Sequence, residues 1–227
     1  MPHFDIVKEH TADKTFRVAS VLGRFDLQSE KIKEHFAGDL SIESNDWSVG
    51  VIYGASGTGK STIARELFPN DYIQAFPYEK RAVIDEMPSE CSFESITATF
   101  NAVGFATVWS WLKPFSVLST GEQMRVNIAR AILENRNLIV FDEFTSVVNR
   151  EVARVSSFAI SKAIRRAKKQ FIAVTCHDDI LDWLEPDWTF CTDDMIFVKK
   201  NDCVHKSNWT SIELTNHGGV FLDAITI

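Results

Sequence analysis

The chain has 227 residues, 45% of them hydrophobic, and a formal net charge of −7. That length supports one sizeable core, or one core with a small subdomain, and the acidic balance argues against general electrostatic capture of nucleic acid. No apolar run approaches the ~18 residues of a membrane span, the N-terminus lacks the apolar stretch of a secretory signal, and Cys91, Cys176, Cys191 and Cys203 show no C-x-x-C or metal-site spacing. The expectation is a cytoplasmic protein with reduced thiols and no direct membrane span.

In chain order, Phe16–Phe25 has mixed apolar character and is predicted as a first strand. Trp47–Tyr53 reads as a buried strand running into a glycine loop, and a helix follows over Ser61–Leu67, which Pro69 must stop. Arg81–Asp85 is a predicted short strand. From Pro88 to Phe115 the pattern is helical and rich in aromatics, and Glu122–Leu133 is a second helix, with Ser119 or Thr120 placed to cap it. Leu138–Phe141 is a buried strand ending in two acids, Glu151–Lys169 a long helix, Phe171–Thr175 a buried strand ending near His177, and Met195–Val198 a last strand. The tail after Asn201 has little periodicity and receives no assignment. Short apolar strands alternating with helices imply an α/β fold, a mostly parallel sheet flanked by helices. Residues 1–227 then form a single domain, with a small helical subdomain inserted over residues 88–133.

The glycine loop carries the most specific chemistry. Gly54-Ala55-Ser56-Gly57-Thr58-Gly59-Lys60-Ser61-Thr62 matches G-x-x-x-x-G-K-[ST] in full, between a strand and a helix, which is the context of a P-loop NTPase. Glycines let backbone N–H groups curl around an anion, and the helix N-terminus adds partial positive charge. Lys60 is placed to reach the β- and γ-phosphates, and the Ser61 hydroxyl to take a position on Mg²⁺. Asp142, ending the apolar run 138–141, is the second candidate metal contact. Glu143 points elsewhere because side chains alternate, so it is placed to polarise an attacking water without binding the metal.

Taken together, the phosphate loop, Leu118-Ser119-Thr120-Gly121-Glu122-Gln123, Val140-Phe141-Asp142-Glu143 and His177 after a strand resemble the ATP-binding-cassette (ABC) ATPases. The resemblance runs from Gly54 to His177. It implies ATP and Mg²⁺ as ligands and hydrolysis between two copies packed head to tail. Ser119 and Gly121 of one copy would contact the γ-phosphate held by the other, and His177 would touch that phosphate as the family's switch histidine. Phe25 is the candidate to stack on adenine, with Phe16 and Phe36 as competitors and a core role equally open for each. A closer similarity is to compact ABC ATPase domains, found alone or fused to acetyltransferase-like domains. These share the strings Trp111-Leu112-Lys113-Pro114-Phe115-x-Val117-Leu118-Ser119-Thr120-Gly121-Glu122 and Phe141-Asp142-Glu143-Phe144-Thr145-Ser146-Val147-Val148.

The chain departs from the family pattern at Thr120, at Asn149 where an Asp is expected, and in the segment before the signature. Family transporter subunits place a Gln after a strand there. The predicted strand ends in Asp85 and Glu86 instead, and Gln74 lies earlier. The resulting expectation is a soluble ABC-type ATPase driving or switching an effector protein or nucleic acid. The alternatives are the ATPase subunit of a membrane transporter and a nucleotide-switched binding module with little hydrolysis. Two surfaces are candidate partner sites. One is a basic face on helix 151–169, bearing Arg154, Lys162, Arg165, Arg166, Lys168 and Lys169 opposite a predicted core face of Val152, Val155, Ala159, Ala163 and Ala167. The other is the aromatic group Phe105, Trp109, Trp111 and Phe115, for which a core role is the simpler reading.

Overall fold

The computed structural model describes residues 3–27, 31–42, 46–73, 76–134 and 136–200. Two sheets are present among them. β1 (His3–Thr11) and β2 (Lys31–Asp39) pair antiparallel, joined through α1 (Phe16–Arg24). The second sheet has six strands in the order β4-β5-β6-β3-β7-β8, from β3 (Val49–Tyr53), β4 (Tyr72–Ile73), β5 (Leu138–Phe141), β6 (Gln170–Thr175), β7 (Trp188–Cys191) and β8 (Ile196–Lys199). All its pairings are parallel except the edge pair β7–β8.

Alternation along the strands sorts their side chains into two cores. Val49, Val51, Ile139, Phe141, Phe171 and Ala173 face one side, joined by α3 (Phe93–Ala102), α5 (Thr120–Leu133) and α6 (Arg150–Ala167). Ile52, Val140, Ile172 and Val174 face the other, against Ile63 and Ala64 of α2 (Lys60–Leu67) and Phe4 and Ile6 of β1. Between β3 and β7 the layers close tightly. A Cβ on Gly50 would lie 2.1 Å from the Trp188 indole, so only glycine fits there.

Strand β7 also splints β3 at both ends. At its start, Asp187 Oδ2 accepts from the N–H groups of Ser48 (2.7 Å) and Val49 (2.9 Å), and its Oδ1 accepts from Arg165 (3.0 Å). Beyond its end, the Asp193 carboxylate accepts from Ala55 N–H at 3.0 and 3.1 Å.

The inserted helices build on α5. Ser119 caps α5 in a capping box with Glu122, as the order of those two residue types implies. Phe100, Phe105 and Trp111 are buried, Trp111 Nε1 donating to the Phe105 carbonyl at 2.8 Å. Phe115 stacks on Tyr78 with centroids 4.0 Å apart, whereas Trp109, in α4 (Val108–Trp111), is 77% exposed. Of the predicted aromatic group, therefore, most is core and Trp109 is surface.

Several expectations change. Phe16–Phe25 is a helix, not a strand; Thr15 caps it, accepting from Val18 N–H. Arg81–Asp85 is no sheet strand: Val83–Glu86 forms a 3-10 turn, held by one bridge between Ala82 and Pro114. The sheet strand before the insertion is β4, and Gln74, the residue after it in sequence, lies outside the described residues. The core face of α6 is Ala153, Ser156, Ser157, Ile160, Ser161, Ala163 and Ile164, while Val155 is exposed. Small residues let α6 lie close to its neighbours, which apolar spacing alone does not register. β1, β2, β7 and α7 (Ile180–Leu184) were not foreseen. The tail after Asn201 lies outside the described residues. Cys91, Cys176 and Cys191 are free thiols.

Candidate nucleotide site

The site sits at the carboxyl ends of β3, β5 and β6, the edge where parallel α/β sheets bind ligands. A cleft of about 550 Å³ there is lined by Ser56, Gly57, Gly59, Lys60, Ser61 and Thr62 from the loop and α2. Asp142, Glu143, Ser146 and Val147 after β5 line it too, as do Thr175 and Cys176 at the end of β6. Gly59 has φ +88°, and a Cβ on it would lie 2.4 Å from the Phe36 ring, so both conformation and space call for glycine. Phe36, on β2, thereby forms one wall of the cleft, together with Glu34.

Lys60 Nζ donates to the Ala55 carbonyl at 2.5 Å, bringing its charge across the loop. Ala55 is fixed from behind, where its N–H donates to Asp193 and where Thr58 Oγ1 and Thr192 Oγ1 lie 2.5 Å apart. Ser61 Oγ donates to Asp142 Oδ1 at 3.0 Å. A hydroxyl and a carboxylate, both hard oxygen donors, converge beside the phosphate cradle, and this donor set suits Mg²⁺ better than a softer metal.

Past β5 the chain kinks. Glu143 and Thr145 have φ of 50° and 65°, the left-handed region that L-residues avoid, and Thr145 is a buried β-branched residue. Such strain persists only where packing over-determines it, and Phe144 supplies the packing, buried between Phe141 and Phe171. The kink turns Phe144 into the core and leaves Glu143 exposed on the cleft.

Other residues singled out from the sequence lie elsewhere. Phe25 ends α1, is 68% exposed and does not line the cleft; of the three candidate phenylalanines, Phe36 does. His177 does not line it either: its N–H donates to Thr175 Oγ1, and the neighbouring Cys176 faces the cleft. Ser119 and Gly121 stand apart from it. Ser119 engages Glu122, and Thr120 Oγ1 donates to the Val147 carbonyl at 3.0 Å. A Cβ on Gly121 would meet Val148 and Val152 at 3.2 and 3.3 Å. The signature thus packs on the segment leaving Glu143. Asn149 caps α6, accepting from Val152 N–H at 2.8 Å.

Sequence reasoning missed Glu34, Tyr72, Cys176, Thr192 and Asp193. Only proximity in the fold brings them to the site. Among the described residues no group of His, Cys, Asp or Glu forms a separate metal cluster, and no helix is long and apolar enough to cross a membrane.

Residues 78–146 match the family model described as ABC transporter. The fold is similar to that of the ATP-binding cassette MJ0796, solved as a dimer in a post-hydrolysis state bound to ADP and Pi. That similarity has a TM-score of 0.57 at 16% identity, over 87% of this chain and 97% of that one. It is also similar to a bacterial Atm1-family ABC exporter with ATP bound, with a TM-score of 0.54 at 19% identity over 76% of this chain. The chain spans 36% of the exporter's length. No curated protein matches it in sequence. A complete phosphate loop thus stands at the head of α2, the match to the ABC transporter family model covers Tyr78 to Ser146, and the fold is similar to that of ATP-binding cassettes, a mostly parallel sheet flanked by helices.

Proposed function

We propose that this domain binds ATP with Mg²⁺, closes on a second copy head to tail, and hydrolyses the nucleotide to drive or switch a partner in the cytoplasm. The observation that carries this reading is the convergence of Lys60, the Ser61–Asp142 pair and the exposed Glu143 on one cleft. The loop from Gly54 to Thr62 wraps the phosphates, and Lys60 leaves the Ala55 carbonyl to meet them. Ser61 and Asp142 hold Mg²⁺, which supplies charge neutralisation at the phosphates. Glu143 takes the proton of the attacking water. Phe36, rather than Phe25, offers the ring nearest the loop for adenine.

Because Ser119 and Gly121 do not line their own cleft, they serve best across a dimer, where the N-terminus of α5 meets the γ-phosphate of the other copy. In Glu143→Gln, ATP is expected to accumulate a stable dimer, seen by light scattering, while hydrolysis falls about 10²-fold or more. A variant that stays monomeric with ATP, beside a wild type that hydrolyses it, would sink the sandwich.

A second reading, the ATPase subunit of a membrane transporter, gains support from two observations. The sheet strand before the insertion is β4, with Gln74 next in sequence, and the insertion exposes Val108, Trp109 and Leu112. Co-purification with a membrane protein, together with hydrolysis indifferent to DNA and RNA, would favour it over a soluble machine.

A further inference from the structure

Asp142 is held by more than the phosphate-loop serine. Its Oδ1 accepts from Ser61 Oγ at 3.0 Å and from the Glu143 N–H at 2.9 Å. Its Oδ2 accepts from the Tyr72 hydroxyl. Tyr72 stands on the edge strand β4, in register with Val140 of β5, two residues before Asp142, and its hydroxyl reaches the carboxylate oxygen that Ser61 does not. Arg65 lies one turn beyond Ser61 on α2, with its guanidinium 5.0 Å over the Tyr72 ring and its Nη2 3.4 Å from the hydroxyl. The two oxygens of one carboxylate are thereby given different tasks. Oδ1 faces Ser61 and the cleft, and Oδ2 is anchored.

A carboxylate turns readily about its last side-chain bond, a broad two-fold torsion. Two contacts on Oδ1 alone leave that rotation loosely defined, and the Ser61 contact is lost once Ser61 turns to a metal. The Tyr72 contact does not depend on Ser61. We propose that Tyr72 is a positioning residue for the metal site: its hydroxyl fixes the plane of the Asp142 carboxylate so that Oδ1 stays aimed at Mg²⁺ beside Ser61. Hydrogen bonds that orient a ligating group are worth about 10–100-fold in metal affinity. The inference rests on the ATP–Mg²⁺ reading of the cleft.

Tyr72→Phe deletes the one hydroxyl and keeps the ring. The measurement is the dissociation constant of N-methylanthraniloyl-ATP in EDTA and at saturating Mg²⁺, with the melting temperature of each protein alongside. In the wild type Mg²⁺ tightens binding. In Tyr72→Phe that tightening is expected to shrink about tenfold, while affinity in EDTA stays within about twofold. Tightening kept within about twofold of wild type would overturn the inference. Equal losses in EDTA and in Mg²⁺ would overturn it too, because they mark a packing defect in β4. A wild type that binds the nucleotide with no help from Mg²⁺ would instead sink the metal assignment of the cleft itself.

Discussion

Removing the Asp187 carboxylate tests whether β7 holds β3, and through it the phosphate loop, in place. Asp187→Ala strips the acceptor from the N–H groups of Ser48 and Val49 and breaks the ion pair with Arg165. Val49 is fully buried, so its N–H has no water to turn to, and an orphaned buried donor costs about 1–3 kcal/mol. Ser48 is half-buried, and its loss is smaller because solvent replaces part of the bond. The Arg165 pair, 37% and 25% exposed at its two side chains, adds less than about 1 kcal/mol. The sum is about 2–4 kcal/mol. For a domain of this size each kcal/mol moves the melting temperature by about 2–4 °C, so a fall of about 4–16 °C is expected by calorimetry. Asp187→Asn keeps one acceptor and should lose about half as much. Asp193→Ala makes the same kind of cut at the other end, but at the exposed Ala55 N–H, and should move melting by less than about 2 °C. If Asp187→Ala melts within about 2 °C of wild type, or no lower than Asp193→Ala, the splint does not carry the stability assigned to it.

Two further outcomes test the site and its signature helix. Phe36→Ala should weaken ATP about 5–100-fold, the worth of one base–aromatic stack, while leaving inorganic triphosphate unaffected; Phe25→Ala should change neither. Competition binding with the two ligands decides, and equal losses for both would place Phe36 under the loop rather than against the base. Burial alone would raise the Glu122 pKa, but the Ser110 and Ser119 hydroxyls and the Ser119 N–H donate to its carboxylate and bring the net shift below 4.5. A folded value below the unfolded one contributes stability in full above 4.5 and loses it as pH falls through the lower folded value. The stability advantage of wild type over Glu122→Ala should therefore be constant near neutrality and shrink in acid. An advantage that grows as pH falls below 4.5 would contradict this.

The loop and its flanks were legible in the sequence because everything that defines them is local. Val49–Tyr53 is a continuous apolar run, the glycines follow at once, and Ser119 and Glu122 spell a capping box three residues apart. What stayed hidden depends on contacts between distant segments. Thr15–Arg24 offers a cap and a helix, yet Phe16, Val21 and Phe25 stay exposed, so its apolar content signals no core. Strand β4 has two residues, too few to show any period, and exists because Val140 N–H donates to the Asp71 carbonyl and β5 lies beside it. Tyr72 and Asp193 are ordinary residues in one dimension and become part of the site only through their reach to Asp142 and Ala55.

Placed at Arg81–Asp85, the edge strand leaves a short insertion before the signature and no glutamine at its end, which points away from a transporter. Placed at Tyr72–Ile73, it lengthens the insertion by residues 74–85 of the sequence and puts Gln74 next in sequence. The distance from edge strand to signature therefore no longer separates a soluble machine from a transporter subunit. The surface of the insertion takes over that role. Phe93, Val108, Trp109, Leu112 and Val117 are all more than half exposed there, while Phe100, Phe105 and Trp111 already fill its core. Under the transporter reading proposed above, these are the side chains available to meet a membrane partner. Trp109→Ala should leave melting and ATP hydrolysis by the isolated domain unchanged. Hydrolysis that falls in the absence of any partner would instead make Trp109 part of the domain's own working structure.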